Sequence, residues 1–153
     1  MSDVFDFIRK NNVIEHWKEL TEENLEKQEV GEIVCRIGDN YKLMRVEIPS
    51  VVECKSKGGE PIVFFHNHPS RYEGISWGEP KLSYGDIGWG IANKVRCMCV
   101  GADTEKGINV KCFCHNLSDR NVELLAKKLL LTENHREYVD VIDMENPYKE
   151  VEI

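Results

Sequence analysis

The sequence predicts one mixed α/β (α+β) domain in which a central sheet carries helices on both faces. Three observations lead there. Apolar residues recur at helical spacing near both ends and once in the middle of the chain. Between those stretches they alternate with a period of two, and one short apolar run of β-branched and aromatic residues stands on its own. With 153 residues, 41% of them hydrophobic, the chain suits one core rather than two.

Residues 2–27 read as helical. Ser2 can cap a first turn presenting Val4, Phe5 and Ile8, and Ile14, Trp17 and Leu20 then recur at helical spacing. Thr21, followed by Glu22 and Glu23, can cap a further turn, and two short helices or one kinked helix fit equally well. From Glu29 the period becomes two. Val30, Ile33, Cys35 and Ile37 lead into the turn cluster Gly38-Asp39-Asn40, and residues 41–48 alternate again, which predicts a β-hairpin. Residues 54–60 are polar and contain glycine, hence a loop, whereas Pro61-Ile62-Val63-Phe64-Phe65 suits a strand covered on both faces.

That strand runs into His66-Asn67-His68-Pro69, and residues 70–82, with two glycines and a proline, predict a long irregular loop bearing Tyr72 and Trp77. The two aromatics fit a substrate-contacting lid and a cover for the core equally well. Ser83 opens a helix in which Ile87 and Ile91 fall four apart. Residues 96–101 and 108–115 are two more strands, and Ser118 caps a last helix to about His135, with Val122, Leu125 and Leu129 inward. The domain is expected over residues 1–140, followed by an acidic tail, 141–153, that contains Pro147 and is expected to be partly disordered.

A net charge of −7 repels a phosphate backbone, so a nucleic-acid partner is not expected. No apolar run nears the roughly 18 residues of a membrane span, and the acidic start of the chain does not resemble a signal peptide, so the expected location is cytoplasmic. In that compartment the six cysteines are expected to be reduced thiols. Cys97, Cys99, Cys112 and Cys114 could share one face of a hairpin and hold a second metal, but core packing is the favoured reading.

The chemistry concentrates at His66, His68 and Asp86. Two histidines two apart at the end of a strand point to the same side, and Pro69 ends the ladder and opens that end to solvent. Asp86 falls in the first turn of the next helix, where the helix dipole favours a carboxylate. Two imidazoles, one carboxylate and a vacant fourth position match a catalytic zinc rather than a structural one. Such a site also needs a positioned base, for which a glutamate is the obvious candidate. Taken alone, Ser83-x-x-Asp86 is equally a capping box, and the two roles can coexist.

His66-Asn67-His68-Pro69, a loop, and Ser83-x-x-Asp86 together resemble the signature of the JAMM (MPN+ or JAB domain) metallopeptidases, and the His-Asn-His-Pro-Ser form is similar to the RadC-like branch. The resemblance covers roughly residues 25–115. It implies a cytidine-deaminase-like layered fold, Zn²⁺ held by His66, His68 and Asp86, and a Ser83 hydroxyl that steadies the oxyanion. It also implies a hydrolase (a metalloprotease or isopeptidase) acting on protein or peptide substrates, including ubiquitin-like conjugates and precursor proteins. The family's catalytic glutamate lies on an early strand in a Glu-x-x-Gly setting. Here Glu29-Val30-Gly31-Glu32 is the matching segment, with Glu32 where the glycine would be; Glu29 is favoured as base and Glu32 is the alternative. Three apart on a strand, the two face opposite sides, so only one can reach the site without a bulge. The loop from Pro69 to Ser83 is longer than the family's usual stretch, which reshapes the rim and leaves the ligands in place. The rival readings are a non-catalytic JAB-type binding scaffold and a RadC-like DNA-associated protein.

Overall fold

The computed structural model describes residues 2–26, 29–46, 49–69 and 80–153. Its element order is α1 (Ser2–Lys10), α2 (Val13–Glu23), β1 (Gly31–Ile37), β2 (Asn40–Val46), α3 (Val52–Ser56), β3 (Glu60–His68), α4 (Tyr84–Ala92), β4 (Cys97–Thr104), β5 (Gly107–Cys114), α5 (Asp119–Leu130), α6 (His135–Glu145) and β6 (Lys149–Val151). The strands form one mixed sheet in the order β2-β1-β3-β4-β5-β6. Only β3 and β4 run parallel, joined across α4 as such pairs require; every other neighbouring pair is antiparallel.

The two faces of the sheet bury two separate clusters. On one, Val34, Val63, Phe65, Cys97 and Cys99 pack against Val4 and Ile8 of α1 and Trp17 and Leu20 of α2. Trp17 stacks on Phe65, ring centres 4.8 Å apart. On the other, Ile33, Phe64 and Met98 pack against Ile87 and Ile91 of α4, Val122 and Leu129 of α5 and Ile142 of α6. The expected helix-covered sheet is therefore present as a mixed α/β architecture. No described helix is long and apolar enough to cross a membrane.

Of the two forms expected for the N-terminal stretch, the structure has two helices, broken at Asn12, whose φ of 51° is left-handed. Several other expectations are corrected. Thr21 caps no further turn: it lies inside α2, and its hydroxyl donates to the Trp17 carbonyl at 2.8 Å. Part of the 54–60 loop is α3, stapled to β1 through Cys54. The helix begun at Ser118 stops at Leu130, and a separate helix follows, capped by the Asn134 side chain accepting from the Glu137 N–H at 2.9 Å. The segment 141–153 is no structureless tail, since it completes α6 and supplies the edge strand β6, paired with β5. Its acidic side chains mask an inward-facing minority: Ile142 and Tyr148 are buried, and the Tyr148 hydroxyl donates to the Val95 carbonyl at 2.8 Å.

The cysteines are the largest correction. All six are paired, as Cys35–Cys54, Cys97–Cys114 and Cys99–Cys112, and none is free. The β4–β5 register places Cys97 opposite Cys114 and Cys99 opposite Cys112, with Cα separations of 4.1 and 4.0 Å. At that spacing two opposed thiols have a bonding partner directly in reach, and neither reduced thiols nor a second metal describes them.

Candidate metal centre

Strand parity builds the site. In β3 the odd residues Val63 and Phe65 face α1 and α2, while Phe64 faces α4; His66 and His68 share the side of Phe64. Pro69 follows directly and ends the strand. The parallel neighbour β4 is reached through α4, so the N-terminal turn of α4 sits over the end of β3. Ser83 caps that helix. Its Oγ accepts from the Asp86 N–H at 3.1 Å, and the Asp86 carboxylate accepts from the Ser83 N–H at 2.9 Å, a reciprocal capping box that fixes the aspartate's rotamer.

Three donor atoms converge as a result. His66 Nε2 lies 3.0 Å from His68 Nε2 and 3.2 Å from Asp86 Oδ2, and His68 Nε2 lies 3.6 Å from the same oxygen. A tetrahedral zinc with bonds of about 2.0–2.1 Å separates its ligand atoms by roughly 3.3 Å, and the three edges bracket that value. The residues present therefore fit a divalent cation in both donor type and spacing. The His66 side chain is 4% exposed, that of His68 26% and that of Asp86 22%, which grades the cluster from buried to accessible. Burial pushes the Asp86 carboxyl up, but hydrogen bonds from His66 and His68 and from the Ser83 N–H outweigh it and hold the group far below the usual carboxylate range. The His66 Nδ1 is buried with no partner among the described residues.

Glu29 and Glu32 separate as strand parity requires. Gly31 pairs with His66 across the β1–β3 ladder and Glu32 pairs with Phe65, so Glu32 faces α2. There it is buried, accepting from Trp17 Nε1 at 2.9 Å and Arg45 Nε at 3.2 Å, and meeting His16 Nε2 at 2.9 Å. That network occupies the carboxylate on the wrong face for His66 and His68. Glu29, two residues before Gly31, lies on the histidine side and is exposed. A carboxylate oxygen of Glu29 and a ring nitrogen from each histidine all lie within 4.8 Å of one another. The Glu29 carboxylate therefore lies beside any cation that the histidines hold.

Of the residues singled out in the sequence, the structure thus brings together Glu29, His66, His68, Ser83 and Asp86 and places Glu32 elsewhere. Tyr72 and Trp77 lie outside the described residues. His115 is a packing residue: it is buried edge-on against Tyr148, its Nδ1 accepts from the Leu117 N–H at 3.1 Å, and burial together with the nearby Arg96 pushes it down to about 4. Sequence reasoning missed the His16–Glu32–Arg45 cluster. Its signal was the hairpin turn, because a two-residue turn at Gly38-Asp39 puts Glu32 directly opposite Arg45. It also missed Asn67, fully buried between the two histidines. In comparisons with known proteins, no family model matches the chain, and neither a curated protein nor a solved structure does.

Proposed function

We propose that this protein is a metal-dependent hydrolase of peptide or isopeptide bonds, of the JAMM type that its motif resembles, with zinc as the metal and a protein or peptide substrate such as a ubiquitin-like conjugate or precursor. The observation that carries this reading is the convergence of His66, His68 and Asp86 at the open end of β3 with the Glu29 carboxylate beside them. His66, His68 and Asp86 would hold the zinc, which would supply a Lewis acid for a substrate carbonyl and for water. Everything else falls to the chain's own groups. The Glu29 carboxylate takes the proton of the attacking water and returns it to the leaving amine. The Ser83 oxygen already accepts from the Asp86 N–H, so its own hydrogen remains to be donated to the substrate oxygen as negative charge develops there. The capping box thereby serves as both a helix start and a mount for two site residues.

The compartment follows the cysteines. Three disulfides persist in an oxidising compartment or in the disulfide-rich cytoplasm of a hyperthermophile, and a cytoplasmic location fits only the second case.

The test is to incubate zinc-loaded protein with unfolded casein and with ubiquitin chains, and to search for new termini by mass spectrometry. Cleavage that stops with chelator, returns with zinc and is absent from Glu29→Gln supports the reading. Cleavage that survives Glu29→Gln refutes the assignment of the base, and a fully zinc-loaded protein that cleaves nothing leaves a binding scaffold.

A further inference from the structure

Asn67 lies between the two histidines and faces the opposite side of the sheet, away from the candidate metal, and it is fully buried. Three hydrogen bonds among the described residues tie it to two segments. The Asn67 Oδ1 accepts from the Val30 N–H at 2.6 Å, the Asn67 N–H donates to the Val30 carbonyl at 3.4 Å, and the Asn67 Nδ2 donates to the Asn24 carbonyl at 3.4 Å. The registered β1–β3 ladder ends at Gly31 opposite His66. One step further, Val30 stands opposite Asn67, and there a side-chain oxygen takes the Val30 N–H. The bond thus extends strand-like pairing past the end of β1, to the residue next to Glu29.

The approach of α2 completes the arrangement. Gly101, opposite Asn67 on β4, has no side chain, and a Cβ there would collide with the Thr21 hydroxyl. The missing Cβ lets α2 lie close enough for its C-terminal carbonyl, that of Asn24, to meet the Asn67 amide. Asn67 therefore clamps the end of α2 and the Glu29-Val30 segment to the strand that carries both histidines.

We propose that Asn67 is a positioning residue that fixes Glu29 relative to the metal cluster, acting through Val30 without touching substrate or metal. The inference rests on the reading of Glu29 as the base. Glu29 is exposed and precedes β1, so its own packing does little to hold it. A misplacement of about 1 Å at a reacting group can cost on the order of 10²-fold in rate, which gives such a clamp its consequence.

The experiment compares wild type, Asn67→Ala and Asn67→Asp, the last keeping, with its buried carboxyl protonated, both the oxygen that accepts from Val30 and an O–H donor for the Asn24 carbonyl. Amide exchange at Val30, followed by NMR on the full chain, should accelerate about tenfold or more in Asn67→Ala and stay near wild type in Asn67→Asp, with Ile33 and Phe64 unchanged in both. In cobalt-loaded protein, paramagnetic relaxation of the Glu29 side-chain protons should weaken several-fold in Asn67→Ala and recover in Asn67→Asp, with cobalt stoichiometry unchanged throughout. A merely structural asparagine would alter exchange across the whole sheet and leave the Glu29-to-cobalt relaxation of the folded molecules intact; that pattern, or unchanged Val30 exchange, overturns the proposal. Should Asn67→Ala fail to fold, Asn67→Asp with weakened Glu29 relaxation overturns it as well. Wild-type protein that takes up no cobalt sinks the metal reading itself, a failure visible before any variant is compared.

Discussion

Replacing each of the two neighbouring glutamates by glutamine should separate fold from chemistry. Glu32 accepts from Trp17 and Arg45 and meets His16, and its side chain is only 6% exposed. Glutamine keeps one oxygen for the indole N–H but turns an NH₂ donor toward Arg45, which needs an acceptor, or toward His16, which must then present its other tautomer. Hydrogen bonds to a charged group contribute roughly 1.5–3 kcal/mol each when buried. The Arg45 side chain is half exposed, so its share is discounted for solvent screening. The expected cost of Glu32→Gln is therefore about 2–3 kcal/mol, roughly 5–10 °C in Tm for a chain of this size. Glu29 is exposed, and Glu29→Gln should stay within about 0.5 kcal/mol of wild type. Calorimetry and urea unfolding at neutral pH, each beside a cleavage assay, read both quantities. The reasoning is refuted if Glu32→Gln leaves stability unchanged while abolishing cleavage, because the buried carboxylate would then be the base.

Other expectations concern the frame around the site. Thiol titration in denaturant without reductant should find no free cysteine, and replacing Cys35 and Cys54 together by serine should cost about 3 kcal/mol, from a loop of 19 residues in sequence separation. Free thiols in the unreduced chain would contradict the pairing. His115 titrates near 4 in the fold against an ordinary 6.5. Between those values the unfolded chain binds a proton that the folded one refuses, so stability falls as pH drops from 6.5 toward 4, by about 2–3 kcal/mol from this group. Urea midpoints at pH 7 and 4.5 should differ less in His115→Asn, whose side-chain oxygen can still accept from Leu117; an undiminished difference would assign the slope to other groups. Gly101→Ala should destabilise by about 1–3 kcal/mol, because the new methyl meets Thr21 and the Phe65 ring, and a neutral result in thermal unfolding would mean that α2 is free to lift from the sheet.

The parts of the fold that were legible in the sequence were those governed by local period and local caps. Alternation placed β1 and β2, a continuous apolar run placed β3, helical spacing placed α1 and α4, and Ser83 and Ser118 marked the starts of α4 and α5 to the residue. Parity alone separated Glu29 from Glu32. What escaped depended on partners distant in the chain. The short β6 exists because β5 offers an open edge, and α3 is held by a disulfide to β1, so neither announces itself by pattern. The cysteine register was readable, but the oxidation state was argued from an expected compartment rather than from the 4 Å approach that pairing imposes. Asn67 was hidden because its role needs the end of α2, the start of β1 and the bare face of Gly101 at once.

The account rests on a cation held by His66, His68 and Asp86, and elemental analysis of the purified protein after zinc reconstitution and exhaustive desalting tests it directly. The expected result is about one zinc per chain in wild type and in Glu29→Gln, and almost none in His68→Ala, with all three proteins folded by circular dichroism. Wild type without zinc, or His68→Ala that keeps its full complement, would contradict the central claim.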